Sequence, residues 1–388
     1  MKEDVYAPFA DELRRLDATG SLRVLPEGAQ EGKWITDSGH RMLNLSSNDY
    51  LGLAGDTALR DEFLNQMPPE AMRFSASSSR LLTGNFAEHR RLEQLLASLY
   101  GAEAAIVFSS GYHMNAGILP ALADRRTLIL ADKLVHASLI DGLRLSAAKC
   151  LRFRHQDYDQ LRALMERHHA AFDRTIIVTE SVFSMDGDVA HLQELVDMKH
   201  HFPGTLLYVD EAHAVGVRGR RGLGLAEEQA CLDGVDILCG TFGKALASVG
   251  AFTVCRRVVR DYLVNRMRPL IFTTALPPVN MAWTRFVVER LTDFADRRER
   301  LAALSARLRE AFARRGQAMP SESHIVPLVV GESSDAVRTA VRMQRLGFYV
   351  LPIRPPTVPE GTSRLRFSLT AALDAADVDR LTANLFTP

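Results

Sequence analysis

From about residue 100 to residue 255, short apolar and β-branched runs alternate with longer stretches of helical spacing. Ala104–Phe108, Thr127–Leu130, Thr175–Thr179, Leu206–Asp210, Ile237–Cys239 and Ala251–Val254 read as buried strands, because runs without polar alternation leave no face for solvent. Between them, Asp157–Arg167 and His191–His200 repeat apolar residues at helical intervals. This alternation predicts an α/β fold, a mostly parallel central sheet flanked by helices. Pro278 to about Gly316 is long, amphipathic and rich in arginine and leucine, which predicts a connecting helix pair with a solvated charged face. Beyond it the pattern changes. Ile325–Val330, Tyr349–Leu351 and Arg364–Leu369 read as strands and Ser334–Leu346 and Ala375–Leu385 as helices, a compact α+β unit with a rigid loop at Pro352, Pro355, Pro356 and Pro359. The expected organisation is an N-terminal segment (1–45) packing on the rest, a large α/β domain (46–275), and connecting helices with a small C-terminal α+β domain (276–388).

Composition narrows the class of protein. With 388 residues, 47% of them hydrophobic, the chain can bury one large core and a smaller one. Its 47 Lys and Arg balance 47 Asp and Glu, and no basic tract interrupts the chain, so nucleic acid is not an expected partner. No stretch approaches the ~18 uninterrupted apolar residues of a membrane span, and MKEDVYAPFADELRRLDATG has no apolar targeting core. No membrane association and a cytoplasmic location are expected. The four cysteines form no C-x-x-C pair and fit reduced thiols, while the lack of H-E-x-x-H leaves a metal without support.

In open α/β sheets ligands bind beyond the carboxyl ends of the strands, so the residues following each apolar run carry the information. Ser109–Asn115 reads as a turn and helix start whose free N–H groups suit a phosphate, or as a simple helix cap. Asp132–Ser138 brings His136 to the same edge, as a site residue or a structural histidine, and Thr179–Asp188 makes a polar turn there or an ordinary loop. Leu206–His213 ends a buried strand with Asp210, Glu211 and His213, and a buried carboxylate is costly unless a partner repays its desolvation. Two machines use such a strand end. A DEAH-type NTPase would match Asp210-Glu211-Ala212-His213 by letter, but it needs a Walker A loop, and none precedes it. A pyridoxal-phosphate enzyme uses a strand-end aspartate to keep the pyridine nitrogen protonated and a later lysine to hold the cofactor. Lys244, in GTFGKALASVGAF, is that lysine's candidate. The stretch lacks phosphate-loop spacing, so a surface lysine and a nucleophilic amine compete on local grounds, and Asp210 favours the second. Lys244 is then expected in an apolar pocket without an acidic neighbour.

The stretches Leu45–Leu53, Ser110–Tyr112, Asp132–Ser138, Thr179–Asp188, Val209–Gly216, Thr241–Lys244, Phe272–Pro278 and Ile353–Thr370, taken in order, resemble the α-oxoamine synthase family of fold type I pyridoxal-phosphate enzymes. That resemblance implies pyridoxal 5'-phosphate held by Lys244, with Asp210 on its ring nitrogen, His213 on its phenolic oxygen and His136 stacked on its face. Gly111, Tyr112, Ser184 and Thr241 would line the cofactor, and Thr274 would reach the phosphate of the other subunit of a homodimer. Arg366 would take the amino acid's carboxylate, with Asn48 nearby, and Arg23 and Thr357 would contact substrate. The segment Ile353–Arg366 points to the branch that condenses L-alanine with a pimeloyl thioester on CoA or an acyl carrier protein (ACP). Other branches join glycine to acetyl or serine to palmitoyl thioesters, and a non-catalytic subunit of the same fold would have lost Lys244. Two departures stand out: serines at Ser75–Ser79, and Ala247-Ser248, where relatives carry glycine. Serines there should leave the backbone less free to take positive φ.

Overall fold

The computed structural model describes residues 4–386. They form two compact units. One comprises Asp56–Ser184 and Asp188–Glu299; the other comprises the chain up to Gly55, Met185–Gly187 and the chain from Arg300 onward.

The large unit is built on seven strands: β1 (Ala104–Phe108), β2 (Thr127–Asp132), β3 (Lys149–Phe153), β4 (Arg174–Glu180), β5 (Thr205–Asp210), β6 (Ile237–Thr241) and β7 (Ala251–Cys255). Their order in the sheet is β1-β7-β6-β5-β4-β2-β3. From β3 through β6 all pairs are parallel, and only β7 runs antiparallel, to both β6 and β1. Parallel neighbours need long crossovers, which is why helices separate these strands. The helix Gly111–Leu122 packs Met114, Ile118 and Leu119 into a core with Ile129, Ile176, Val178, Tyr208 and Cys239. All six expected strands are present. The seventh, β3, was not expected, because it lies at the sheet edge, pairs only with β2 and carries Lys149 and Arg152 among its apolar residues. An edge strand with an exposed face need not be continuously apolar.

In the small unit, Ile325–Gly331, Ser363–Ser368 and Pro352–Ile353 form an antiparallel sheet accompanied by the helices Ser333–Arg345 and Ala375–Leu385. The expected strand Tyr349–Leu351 is instead two. Phe348–Tyr349 pairs in parallel with His40–Asn44, whereas Pro352–Ile353 pairs with Ser363–Ser368. Pro352 lacks an N–H, so its strand suits a sheet edge. The pairing of Phe348–Tyr349 completes a second sheet with Ala29–Glu31, Trp34–Asp37 and His40–Asn44, so the early chain contributes strands of its own.

Both departures from glycine take the backbone that glycine favours. Ser77 has φ 51° and Ala247 φ 46°. At Ser77 the geometry is held locally, for Ser75 Oγ accepts its N–H at 3.0 Å.

Candidate functional site

The carboxyl ends of β4, β5 and β6, with the starts of the helices Gly111–Leu122 and Ala137–Leu145, enclose a cavity of about 190 Å3. Asp210, the last residue of β5, is buried at its floor. Tyr208 donates its hydroxyl proton to Asn115 Oδ1 at 2.6 Å. The opposite end of that amide, Nδ2, donates to Asp210 Oδ2 at 2.7 Å and to Ser138 Oγ at 3.0 Å. The Ala212 N–H donates to Asp210 Oδ1 at 2.9 Å. Each carboxylate oxygen therefore has a donor, and the side chain is aimed. Glu211 does not share the cavity. It is buried behind it, accepting from Ser181 Oγ and from the N–H groups of Leu225 and Ala226 at 2.6 to 2.9 Å, and burial lifts its carboxyl to about 7. Its part in a DEAH-like motif is thus structural.

Lys244 sits in the loop that joins β6 to the antiparallel β7. Hydrogen bonds from Phe242 N–H to Gly250 O and from Ser248 N–H to Phe242 O, both 2.9 Å, close that loop, and Phe242 stacks on Phe252 with centroids 5.2 Å apart. Gly240 is required beneath it, because a Cβ there would meet the Phe252 ring at 2.5 Å. The Lys244 Nζ lies 2.8 Å from His213 Nε2. This contact needs a lone pair on one of the two nitrogens, so the pair carries at most one positive charge. The expected apolar pocket is therefore corrected: Lys244 faces a polar cavity that also contains Asp210, Glu180 and His136. Its chain neighbours are small and apolar, but the neighbours that matter arrive from β4 and β5.

His136 caps the helix Ala137–Leu145, its Nδ1 taking the Ser138 N–H at 3.2 Å and meeting Ser138 Oγ at 2.8 Å. Burial first, then the charge of Lys244, hold its pKa below the ordinary value against the opposing pull of Asp210, so the ring is neutral near pH 7. The backbone N–H of His136 donates to Glu180 Oε1, and Glu180 stands opposite Asp210 in the β4–β5 register. Burial, reinforced by Asp210, pushes the Glu180 carboxyl well above the usual carboxylate range.

Gly111, Tyr112 and Thr241 also line this cavity. Thr241 Oγ1 accepts the Gly243 N–H at 3.2 Å and donates to Gly250 O at 3.1 Å, and a Cβ on Gly111 would stop 3.9 Å from it. With no side chain at Gly111 to fill that contact, the N-terminus of a three-turn helix stays uncovered beside a threonine hydroxyl, a place for an anionic group. The amine, the buried aspartate, the neutral imidazole and this anion seat fit pyridoxal phosphate. Ser184 is buried in the loop after β4 and is not among the residues lining the cavity. Thr274 lines a separate space of about 20 Å3 with Arg80 and His113. The small unit brings together Arg366 with Asn48, 3.5 Å apart, and Arg23 with Thr357, 3.4 Å apart. Asn115, Ser138 and Glu180 had no role in the sequence reading. Their signals were a single asparagine in an apolar helix, and an acid ending the strand next to β5.

Behind His136, His155 joins two loops of the site. Its Nδ1 lies 3.0 Å from Asp132 Oδ1 and its Nε2 2.7 Å from Asp188 Oδ2, while Asp132 also accepts the Leu134 N–H at 2.7 Å. Asp132 begins the segment that leads to His136, and Asp188 closes the loop containing Ser184. Burial by itself pulls the His155 imidazole down, but the two carboxylates outweigh it and push it up to about 10. A folded value above the ordinary 6.5 means stability that is complete below about pH 6.5 and is lost as pH rises toward 10. The melting temperature should fall across this range in the natural protein and less steeply in His155→Gln. Parallel curves would show that the imidazolium contributes nothing.

The family described as aminotransferase class I and II matches residues 40–385. A protein of Pasteurella multocida, provisionally named 8-amino-7-oxononanoate synthase, is 54% identical over 97% of this chain and 98% of its own. Among solved structures, a serine palmitoyltransferase from S. paucimobilis with pyridoxal phosphate and myriocin bound superposes with TM-score 0.89 at 29% identity, covering 99% of this chain and 98% of that one. An 8-amino-7-oxononanoate synthase from Francisella tularensis gives TM-score 0.75 at 27% identity, covering 89% and 96%. Among the described residues, no helix is long and apolar enough to cross a membrane.

Proposed function

The chain belongs to the aminotransferase class I and II family and, within it, to the pyridoxal-phosphate-dependent acyl-transferring enzymes of fold type I; on that premise we propose that it condenses L-alanine with a pimeloyl thioester. The products are 8-amino-7-oxononanoate, CO2 and the free thiol of CoA or acyl carrier protein, in biotin biosynthesis, and the working unit is a cytoplasmic homodimer. One observation carries this reading: the near full-length 54% identity to a relative of that name, against 29% to the serine palmitoyltransferase whose backbone superposes well.

Each residue has a part in the proposal. Lys244 would hold pyridoxal phosphate through its amine and would move the proton at the amino acid's α-carbon. Asp210, aimed by Asn115 and by the Ala212 N–H, keeps the ring nitrogen protonated. When bound, the cofactor would supply an electron sink for negative charge developing at that carbon. His213 would face the phenolic oxygen, and the neutral His136 would cover the ring and keep water from it. Gly111, Tyr112 and Thr241, which line the cavity, would surround the cofactor, Ser184 would support it from the buried loop after β4, and Thr274 would reach the phosphate in a second subunit. Arg366 and Asn48 take the α-carboxylate, a guanidinium being suited to both of its oxygens. Arg23 and Thr357 contact the acyl substrate.

The test is an absorbance titration of the holoenzyme with alanine, glycine and serine, followed by thiol release from pimeloyl-, acetyl- and palmitoyl-CoA. Alanine with pimeloyl-CoA should lead the other pairs in kcat/KM by at least about tenfold, the discrimination a few methylenes and a side-chain contact supply. If serine with palmitoyl-CoA or glycine with acetyl-CoA runs faster, the assignment to this branch fails.

A further inference from the structure

Arg366 does not stand by itself, and its neighbours restrict how it can receive a carboxylate. It lies on the strand Ser363–Ser368, with Nη1 2.7 Å from Ser368 Oγ and 3.5 Å from Asn48 Oδ1, and Nη2 3.4 Å from the Tyr50 hydroxyl. The same hydroxyl is 2.9 Å from Asn48 Oδ1. A guanidinium only donates, so the Tyr50 oxygen accepts from Arg366 and its proton goes to Asn48. The amide atom that faces both Tyr50 and Arg366 must then be the carbonyl oxygen, and the two Nδ2 protons are directed to the other side.

Tyr50 is itself held firmly. Its ring is fully buried and meets His324 edge-on at 4.0 Å. Its N–H donates to Asn48 O at 2.9 Å, and its carbonyl accepts the Ala371 N–H at 2.8 Å. Burial raises the phenol pKa against the pull of Arg366, so the hydroxyl keeps its proton near neutral pH.

We propose that Tyr50 is a positioning residue for amino-acid recognition: its hydroxyl fixes the Asn48 amide so that Nδ2 and the Arg366 guanidinium both offer donors to the substrate's α-carboxylate. This rests on the role of Arg366 proposed above. Without the hydroxyl, only the long Arg366 contact at 3.5 Å opposes a turn of the amide that brings its oxygen toward the carboxylate and changes an attraction into a repulsion.

The experiment compares the natural holoenzyme with Tyr50→Phe, following cofactor absorbance on titration with L-alanine and with L-alaninamide, which lacks the carboxylate. The variant should bind L-alanine about tenfold more weakly, with L-alaninamide affinity and kcat at saturating L-alanine within about twofold of the natural enzyme. Asn48→Asp keeps an oxygen toward Tyr50 and Arg366 but removes the donor. It should lose L-alanine at least as strongly and spare the amide, and it carries the test if melting shows Tyr50→Phe unfolded. The proposal is overturned if Tyr50→Phe binds both ligands as the natural enzyme does, if it loses both equally, or if Arg366→Ala leaves L-alanine affinity unchanged. Should the natural enzyme respond to glycine or serine in place of alanine, the alanine assignment fails. The same comparison with that amino acid and its amide then decides the role of Tyr50.

Discussion

Lys244→Ala is expected to lower thiol release by at least about 10³-fold, because one substitution removes both the amine that holds the cofactor and the base at the α-carbon, each a contribution of several powers of ten. The fold should survive. The loop around Lys244 is closed by backbone hydrogen bonds and by the Phe242–Phe252 stack, none of which involves the lysine side chain. Borohydride treatment should fix pyridoxal phosphate to the natural protein and not to the variant, with mass spectrometry locating the label on Lys244. A variant with one tenth of the natural rate would show that another group moves the proton. A natural protein that stays colourless with added cofactor would favour a non-catalytic subunit.

Asp210→Asn should cost about 10²- to 10³-fold in kcat, the range for removing one preorganised electrostatic contact. The argument depends on how the hydrogen bonds can rearrange. An amide at this position keeps an oxygen for the Ala212 N–H, but its NH2 group then faces the Asn115 donor. Asn115 can invert, because the Tyr208 hydroxyl on its other side can accept as readily as donate. The contacts of Asn115 with residue 210 and with Tyr208 are thus kept without the negative charge, and the Ser138 hydroxyl can turn to donate in place of accepting, so the melting temperature should change little while turnover falls. Activity within about threefold of natural would mean that position rather than charge is what Asp210 supplies. A large fall in melting temperature would mean that Asn115 does not invert.

Most of the large sheet was legible in the sequence because its strands are buried on both faces. Short, continuous, β-branched runs such as Ile176–Val178, bounded by polar residues, are what a strand covered on both sides requires. The strand β3 and the short pair Phe348–Tyr349 were not, for opposite reasons. The first carries charge at an exposed edge, and the second is two residues whose partner, His40–Asn44, lies some three hundred positions earlier. No local pattern encodes a pairing at that distance.

The site divides along the same line. Sequence by itself determined the chemistry on offer: a strand-end aspartate, a lysine after the next strand, a histidine at the same edge, and motifs whose order matches one family. These follow from residue type and spacing, which the α/β alternation converts directly into a shared sheet edge. Only the tertiary structure decided which of two adjacent acids faces the cavity, that Lys244 meets His213 rather than an apolar wall, and that Asn115, Glu180 and Ser138 complete the surroundings. The reason is physical. The facing of Asp210 and Glu211, and the polarity around an amine, depend on side chains delivered by other strands and helices, and those meet only when the sheet is assembled.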